Sequence, residues 1–169
     1  MSEATVEAQT AKAQTAEAVQ YLTFRLGGEV FGLAIEKVRE VLDYPAVTRV
    51  PRMPEFMQGV INLRGSVVPV VDLRMRFGMR GAERTVNTCI IIAEVAVDDG
   101  GTVVGLIADA VEEVVALDAG SVKPAPRIGN ALDTSFIGGI GSHHERFITL
   151  LAIDRLFTHQ EIDAASSAA

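Results

Sequence analysis

Apolar side chains recur along this chain in short runs, broken by glycine, proline and charged residues. Tyr21 to Leu26 alternates Tyr, Thr and Arg with Leu, Phe and Leu, the pattern of a half-buried strand. Gly27-Gly28-Glu29 turns it into Val30 to Leu33, a first hairpin. Glu36 to Leu42 sets Val38, Val41 and Leu42 at helical spacing, although its β-branched residues also permit a strand. Pro51 and Pro54 bracket a bend, and a short helical turn is expected at Glu55 to Gln58.

The stretch Gly59 to Asp72 carries two apolar runs, Val60-Ile61 and Val67 to Val71, around the polar break Asn62-Leu63-Arg64-Gly65-Ser66. That arrangement predicts a hairpin whose tip projects Asn62 and Arg64 into solvent or onto a partner, with Gly65 free to take a positive φ. Asp72 to Phe77 fits one helical turn capped by the Asp72 carboxylate, and residues 78–86 a polar loop with Arg80 and Arg84. Thr88 to Val97 is the longest strand signal, and its Ile90-Ile91-Ile92 run predicts burial on both faces. Asp98-Asp99-Gly100-Gly101 turns it into Thr102 to Ala108. Pro124 and Pro126 exclude regular structure there, Arg146 to Ile153 is a last strand, and Asp154 to Phe157 a last helical turn, capped by Asp154.

The two halves repeat. Phe31 to Leu42 lies on Val104 to Val115 without a gap, matching Val38 with Val111, Glu40 with Glu113 and Val41 with Val114. The same register sets Thr48 on Ser121, and small insertions bring Gly59 onto Gly139 and Asp72 onto Asp154. A period of about 75 residues predicts two similar β lobes. Each is too small for a comfortable core alone, so they must share a central apolar layer. Val38, Val41, Val111 and Val114 are expected to face that seam. The tip at Asn62 to Gly65 is expected to have no counterpart, since Gly141-Ser142-His143-His144-Glu145-Arg146 stands in its place. That asymmetry marks Arg64 as a candidate contact residue, its planar fork suiting carboxylates or carbonyls.

Composition narrows the function. A chain of 169 residues suffices for one domain or two small intertwined lobes, and 49% hydrophobic content without tryptophan calls for a Val/Ile/Leu/Ala core. A formal charge of −7 argues against binding phosphate backbones. The lone Cys89 lies in an apolar run, so a buried thiol is expected rather than a nucleophile. There is no signal-peptide pattern and no run near the ~20 residues that span a bilayer, which points to a soluble, cytoplasmic protein. Phosphate-binding loops, nucleophile elbows and metal-binding helix motifs are missing. His143-His144-Glu145 is the one ligand-like cluster. Neighbours on an extended chain point to opposite faces, so a solvated loop is the expected state, with no metal, cofactor or catalytic residue.

The motifs form an ordered set. Phe31 to Val41, Thr48-Arg49-Val50-Pro51, Asn62-Leu63-Arg64-Gly65, Val68 to Arg74, Val104-Gly105-Leu106, Asp109 to Val115, Lys123 to Pro126 and Phe136 to Gly139 follow one another at suitable spacing. In this order the chain resembles the CheW-type chemotaxis coupling family over about residues 20 to 158. The resemblance implies a mainly β fold of two intertwined five-stranded SH3-like barrel subdomains sharing a hydrophobic core, with tails at 1–19 and 159–169. It implies a non-enzymatic adaptor, without cofactors, that joins the cytoplasmic tips of methyl-accepting chemotaxis receptors to the histidine kinase CheA. The receptor-contacting positions would be Val38, Glu40, Gly59, Asn62, Arg64 and Val114. The regulatory domain of the kinase, and other CheW-like domains in array rings, would meet Val47, Lys123 and Ile128. The long Ala-rich N-terminal tail and Cys89 depart from the family pattern. The competing expectation is a small ligand or regulatory role for a polar cleft between the lobes.

Overall fold

The computed structural model describes residues 18–53, 55–77, 79, 84–97, 100–124 and 137–155. Ten strands follow in order: β1 (Ala18–Leu26), β2 (Glu29–Ala34), β3 (Val38–Asp43), β4 (Met57–Leu63), β5 (Ser66–Asp72), β6 (Cys89–Val97), β7 (Gly100–Ala108), β8 (Ala110–Asp118), β9 (Ile137–His143) and β10 (Arg146–Leu151). A single α-helical turn, α1 (Leu73–Arg76), follows β5. Its N-cap is Asp72, as the sequence indicates: the carboxylate accepts from the amides of Arg74 at 3.0 Å and Met75 at 3.5 Å. Short 3-10 turns occupy Ile35–Lys37, Ala119–Ser121 and Ile153–Arg155.

The strands form two five-stranded sheets, ordered β8-β1-β2-β10-β9 and β3-β6-β7-β5-β4. These orders superimpose when β1 to β5 are laid on β6 to β10, so the repeat is real. The sequence halves are not the lobes, however. Each lobe takes three strands from one half and a hairpin from the other: β1-β2 completes the sheet of β8, β9 and β10, while β6-β7 completes that of β3, β4 and β5. The exchange is sealed by two parallel pairings, Leu150 with Gly32 and Val70 with Gly105. Irregularities recur in step. The ladder shifts by one residue between Val38 and Glu40 in β3, and between Leu22 and Phe24 opposite β8. It shifts again between Met57 and Gly59, and between Leu150 and Leu151.

Burial follows this plan. Val30, Val115, Leu117, Ile148 and Leu150 fill one barrel, and Ile61, Val68, Val70, Ile90 and Ile92 the other. The largest cluster lies between them and draws Phe24, Phe31, Leu33, Val71, Ile91 and Leu106, among others, from both sheets. Ile90, Ile91 and Ile92 are all fully buried, with Ile91 in the shared layer and its neighbours inside a barrel. A strand packed on both faces needs such a continuous apolar run. Val38 and Val111 pack on the shared layer, but Val41 is 41% and Val114 48% exposed, contrary to their expected place in the seam.

The structure resolves one local ambiguity and corrects four expectations. The segment Glu36 to Leu42, ambiguous by spacing, is a 3-10 turn leading into strand β3. Glu55 to Gln58 is a turn at Glu55-Phe56 that enters β4 at Met57, because the ladder with Val71 captures the residues that looked helical. Strand β10 stops at Leu151, and β1 begins at Ala18. Thr48 pairs with Val60 where Lys123, not Ser121, pairs with Ile140, so two residues are inserted before the second bridge.

Gly59 sits under the first of these bridges with φ 149°, and a Cβ there would run into the Thr48 carbonyl and reach Val47 Cγ1 at 3.0 Å. Gly65 at φ 87° has open space around it. Gly59→Ala should therefore cost about 2–4 kcal/mol, since backbone must move. Gly65→Ala should cost only about 1 kcal/mol, for the left-handed conformation alone. Urea unfolding of the two variants checks the order, and equal losses would contradict the close packing at Gly59.

Candidate functional site

The β4-β5 hairpin closes through a two-residue turn in which Arg64 (φ 52°) and Gly65 (φ 87°) both take positive φ. That geometry matches the twist of the strands it joins. Asn62 Oδ1 accepts the Gly65 amide at 2.9 Å, so Asn62 is spent on shaping the tip. Arg64 folds back along the surface rather than standing free. Its Nη1 donates to Glu40 Oε2 at 2.5 Å and its Nη2 to Glu40 Oε1 at 3.1 Å, a two-pronged charge-assisted pair. The hydrogen bond from Arg64 holds the Glu40 carboxyl below the usual carboxylate range. The guanidinium side chain remains 74% exposed, leaving donors directed at solvent.

The bulge at Arg39 interrupts the alternation of β3 and sends neighbouring charges to different partners. Arg39 pairs with Glu94 of β6 through Nε at 3.1 Å and Nη2 at 2.5 Å, whereas Glu40 takes Arg64. Leu63, Val68, Ile92 and Val103 lie beneath these pairs, so the cluster rims one end of the barrel.

The other barrel has the same rim with different chemistry. His144 (φ 50°) and Glu145 (φ 63°) take the turn positions of Arg64 and Gly65, so the tip does have a backbone counterpart. Glu112 lies between Arg25 Nε at 3.2 Å and Arg146 Nη2 at 3.6 Å. The His143 and His144 rings do not point apart, as an extended chain would require. The turn brings their centroids to 4.1 Å in an edge-on contact. Among the described residues no group of three His, Cys, Asp or Glu is placed to hold a metal.

Of the expected receptor-contact positions, Glu40, Asn62 and Arg64 come together. Val38 is half-buried on the same strand, Gly59 lies under the Thr48 bridge, and Val114 sits exposed on β8 in the other sheet. Val47 packs on the core of its barrel and touches the space above Gly59. Lys123 uses its backbone to pair with Ile140 at the equivalent place in the second lobe, and Ile128 lies outside the described residues. The Cys89 thiol is buried, and burial pushes its pKa up. Among the described residues, the seam between the lobes is filled by the large apolar cluster.

Two carboxylates take structural roles different from any the sequence indicates. Asp109, at the β7-β8 crossover, accepts the Gly27 amide at 2.8 Å and holds Arg74 of α1 through Nε at 3.0 Å and Nη2 at 2.5 Å. Asp154, expected as a helix cap, instead accepts the Ala96 amide at 2.8 Å and Lys37 Nζ at 2.9 Å. The repeat register, which lays Asp109 beside the Glu36-Lys37 crossover, was the available signal.

Intertwined barrels with charged hairpin tips at their rims define a class: a β scaffold that presents surfaces to other proteins. The CheW-like domain family matches residues 20–161. The chain is 38% identical over 143 residues to chemotaxis protein CheW of Klebsiella aerogenes, covering 85% of this chain and 84% of that protein. It is 37% identical over 146 residues to chemotaxis protein CheW of Rhizobium meliloti, covering 86% and 92%. The crystal structure of scaffolding protein TtCheW from Thermoanaerobacter tengcongensis superimposes with a TM-score of 0.76 at 36% identity, covering 85% of this chain and 90% of that one. The chain belongs to the CheW-like family and is a chemotaxis coupling or scaffolding protein. No helix among the described residues is long and apolar enough to cross a membrane.

Burial works to raise the Asp109 carboxyl, but hydrogen bonds from Arg74 and the Gly27 amide outweigh it and leave the group below its ordinary range. A carboxylate depressed in the folded state stabilises above its unfolded pKa of about 3.9, and that contribution disappears as pH falls through the folded value. Asp109→Asn should therefore lower stability by about 1 kcal/mol at neutral pH, a modest value because solvent screens the pair. The difference should shrink below about pH 4 and vanish in stronger acid. Urea unfolding of both proteins across that range tests this, and a difference independent of pH would exclude the ionic clasp.

Proposed function

We propose that this protein is a non-catalytic adaptor that joins the cytoplasmic tips of methyl-accepting chemoreceptors to the histidine kinase CheA. The observation that carries the reading is the exposed Arg64 held in a fork by Glu40 on a left-handed turn. The pair contributes little stability at so exposed a site, yet it fixes a cation with unused donors at the hairpin tip. A helical receptor tip offers carbonyls and carboxylates to such a group. Val38, Glu40, Gly59, Asn62 and Val114 complete the proposed contact set, with Gly59 and Asn62 acting through the backbone they shape. Helix-in-groove docking would use the exposed part of the valines as anchors.

The kinase regulatory domain is assigned to the bridge segments, around Val47 in one lobe and Lys123 in the other, and to Ile128 further along the sequence. The pseudo-twofold relation of the two backbone bridges supports this placement, because a partner with the same double fold could meet either lobe and extend into rings with further CheW-like domains. In this reading the unit spans residues 20–158, works in the cytoplasm at membrane-associated receptor arrays, and uses no cofactor.

A pull-down with a CheA kinase and a soluble receptor fragment tests the assignment. Wild type should retain both partners. Arg64→Ala should weaken the receptor at least about tenfold, as expected for a central arginine contact, and leave the kinase unchanged. Loss of neither partner on mutation would remove Arg64 from the site, and failure of wild type to bind either would remove the adaptor assignment.

A further inference from the structure

At the far end of the β4-β5 hairpin, about 20 Å from Arg64 by strand rise, lies a second surface feature. Met57 forms the buried floor of a cleft walled by the half-buried Met53 and Met75, with Arg49, Glu55 and Gln58 on its rim. Three of the chain's five methionines meet here, in a protein whose two barrel interiors are built from buried Val, Ile and Leu. Methionine is a poor choice for specifying a core but a good one for adapting to incoming apolar side chains.

The charge around the cleft is equally uneven. Arg49 and Glu55 line the cleft, and Arg52 and Arg76 adjoin the lining residues Met53 and Met75 in sequence, three cations to one carboxylate in a chain of −7. Arg52 stands exposed on a left-handed turn beside the rim, and Arg76 lies 5.2 Å over the Phe56 ring next to Met57. A basic border on an apolar floor fits a partner that is apolar on one face and acidic on the other. The outer edge of β4 is already occupied at Val60, which exchanges backbone hydrogen bonds with Thr48 at 2.9 and 2.8 Å. The lining lacks the aromatic platform that single-stranded nucleic acid would use.

We infer that the Met53–Met57–Met75 cleft is a docking site for an acidic amphipathic helix of a partner protein, separate from the Arg64 tip. The helix would set its apolar side chains on the three thioethers, while its carboxylates face Arg49 and Arg52. The proposal does not depend on the receptor assignment.

The full chain, labelled with carbon-13 at its methionine methyls, is titrated with a synthetic helical peptide carrying leucines on one face and glutamates on the other. The Met53, Met57 and Met75 methyls should shift together and saturably, while Met1 and Met79 stay put. Arg49→Glu combined with Arg52→Glu should weaken the peptide at least about tenfold, and Arg64→Ala should leave it unchanged. Equal binding of a peptide with lysines in place of glutamates, or no shift of the three methyls, would overturn the inference. Shifts that appear with protein concentration alone would assign the cleft to a second copy of this chain and overturn it too. Binding that Arg64→Ala weakens while the three methyls stay unmoved would place the peptide on the other site and overturn the inference.

Discussion

Everything in this molecule depends on the exchange of hairpins between its two sequence halves. Neither half can close its own barrel: β3, β4 and β5 lack the strands that only β6-β7 supply, and β8, β9 and β10 lack those of β1-β2. The parallel pairings that receive the foreign hairpins place Phe31, Ile91 and Leu106 in one apolar layer between the lobes. Burying that layer is the driving force that offsets the entropy of interlacing two small barrels. Each exchanged hairpin is then fixed at its end by a carboxylate. Asp109 binds the Gly27 amide and Arg74, and Asp154 binds the Ala96 amide and Lys37. The two clasps are related by the repeat, but acid and base have changed places between the crossover and the turn that follows the parallel strand.

This architecture explains why equivalent tips can diverge. The turns at Arg64-Gly65 and His144-Glu145 share one backbone conformation, set by the twist of their hairpins and held far from the central layer. A side chain there carries little of the folding energy. Glycine at position 65 makes the conformation cheap, whereas the histidine and glutamate at 144 and 145 hold it at a cost that the rest of the lobe must offset. Chemistry at the tips is thus free to change without disturbing the exchange.

Much of this was legible in the residues. The strands announced themselves by alternation, and Ile90-Ile91-Ile92 announced burial on both faces because a strand between a barrel interior and a shared layer has no polar side. The repeat was visible as well, and the family resemblance implied intertwined lobes, but not which strands are exchanged. A gapless match of Phe31 to Leu42 with Val104 to Val115 reports equivalence, not which sheet a strand joins. Glu55 to Gln58 misled because local composition suits a turn of helix, while pairing of Met57 with Val71 is a long-range fact. Asp154 misled for the same reason, since its amide partner Ala96 is 58 positions away. Arg64 was recognised as a tip residue. Its fork with Glu40 was not, because the bulge at Arg39 that turns Glu40 toward it has no local signature.

In the proposed receptor contact, the Arg64–Glu40 pair serves as preorganisation. An exposed ion pair adds little to stability and is weakened further by salt. What it does supply is a guanidinium whose rotamers are already restricted and whose plane is fixed by two hydrogen bonds. A partner that meets it need not freeze a long flexible side chain, so the entropy otherwise lost on association is saved. The same argument applies to the backbone beneath. Asn62 braces the turn and the Thr48 bridge braces Gly59, so the tip rides on a rigid hairpin rather than a loop. The proposed coupling through contact would need that rigidity, because a surface that yielded on binding would dissipate the displacement passed through it.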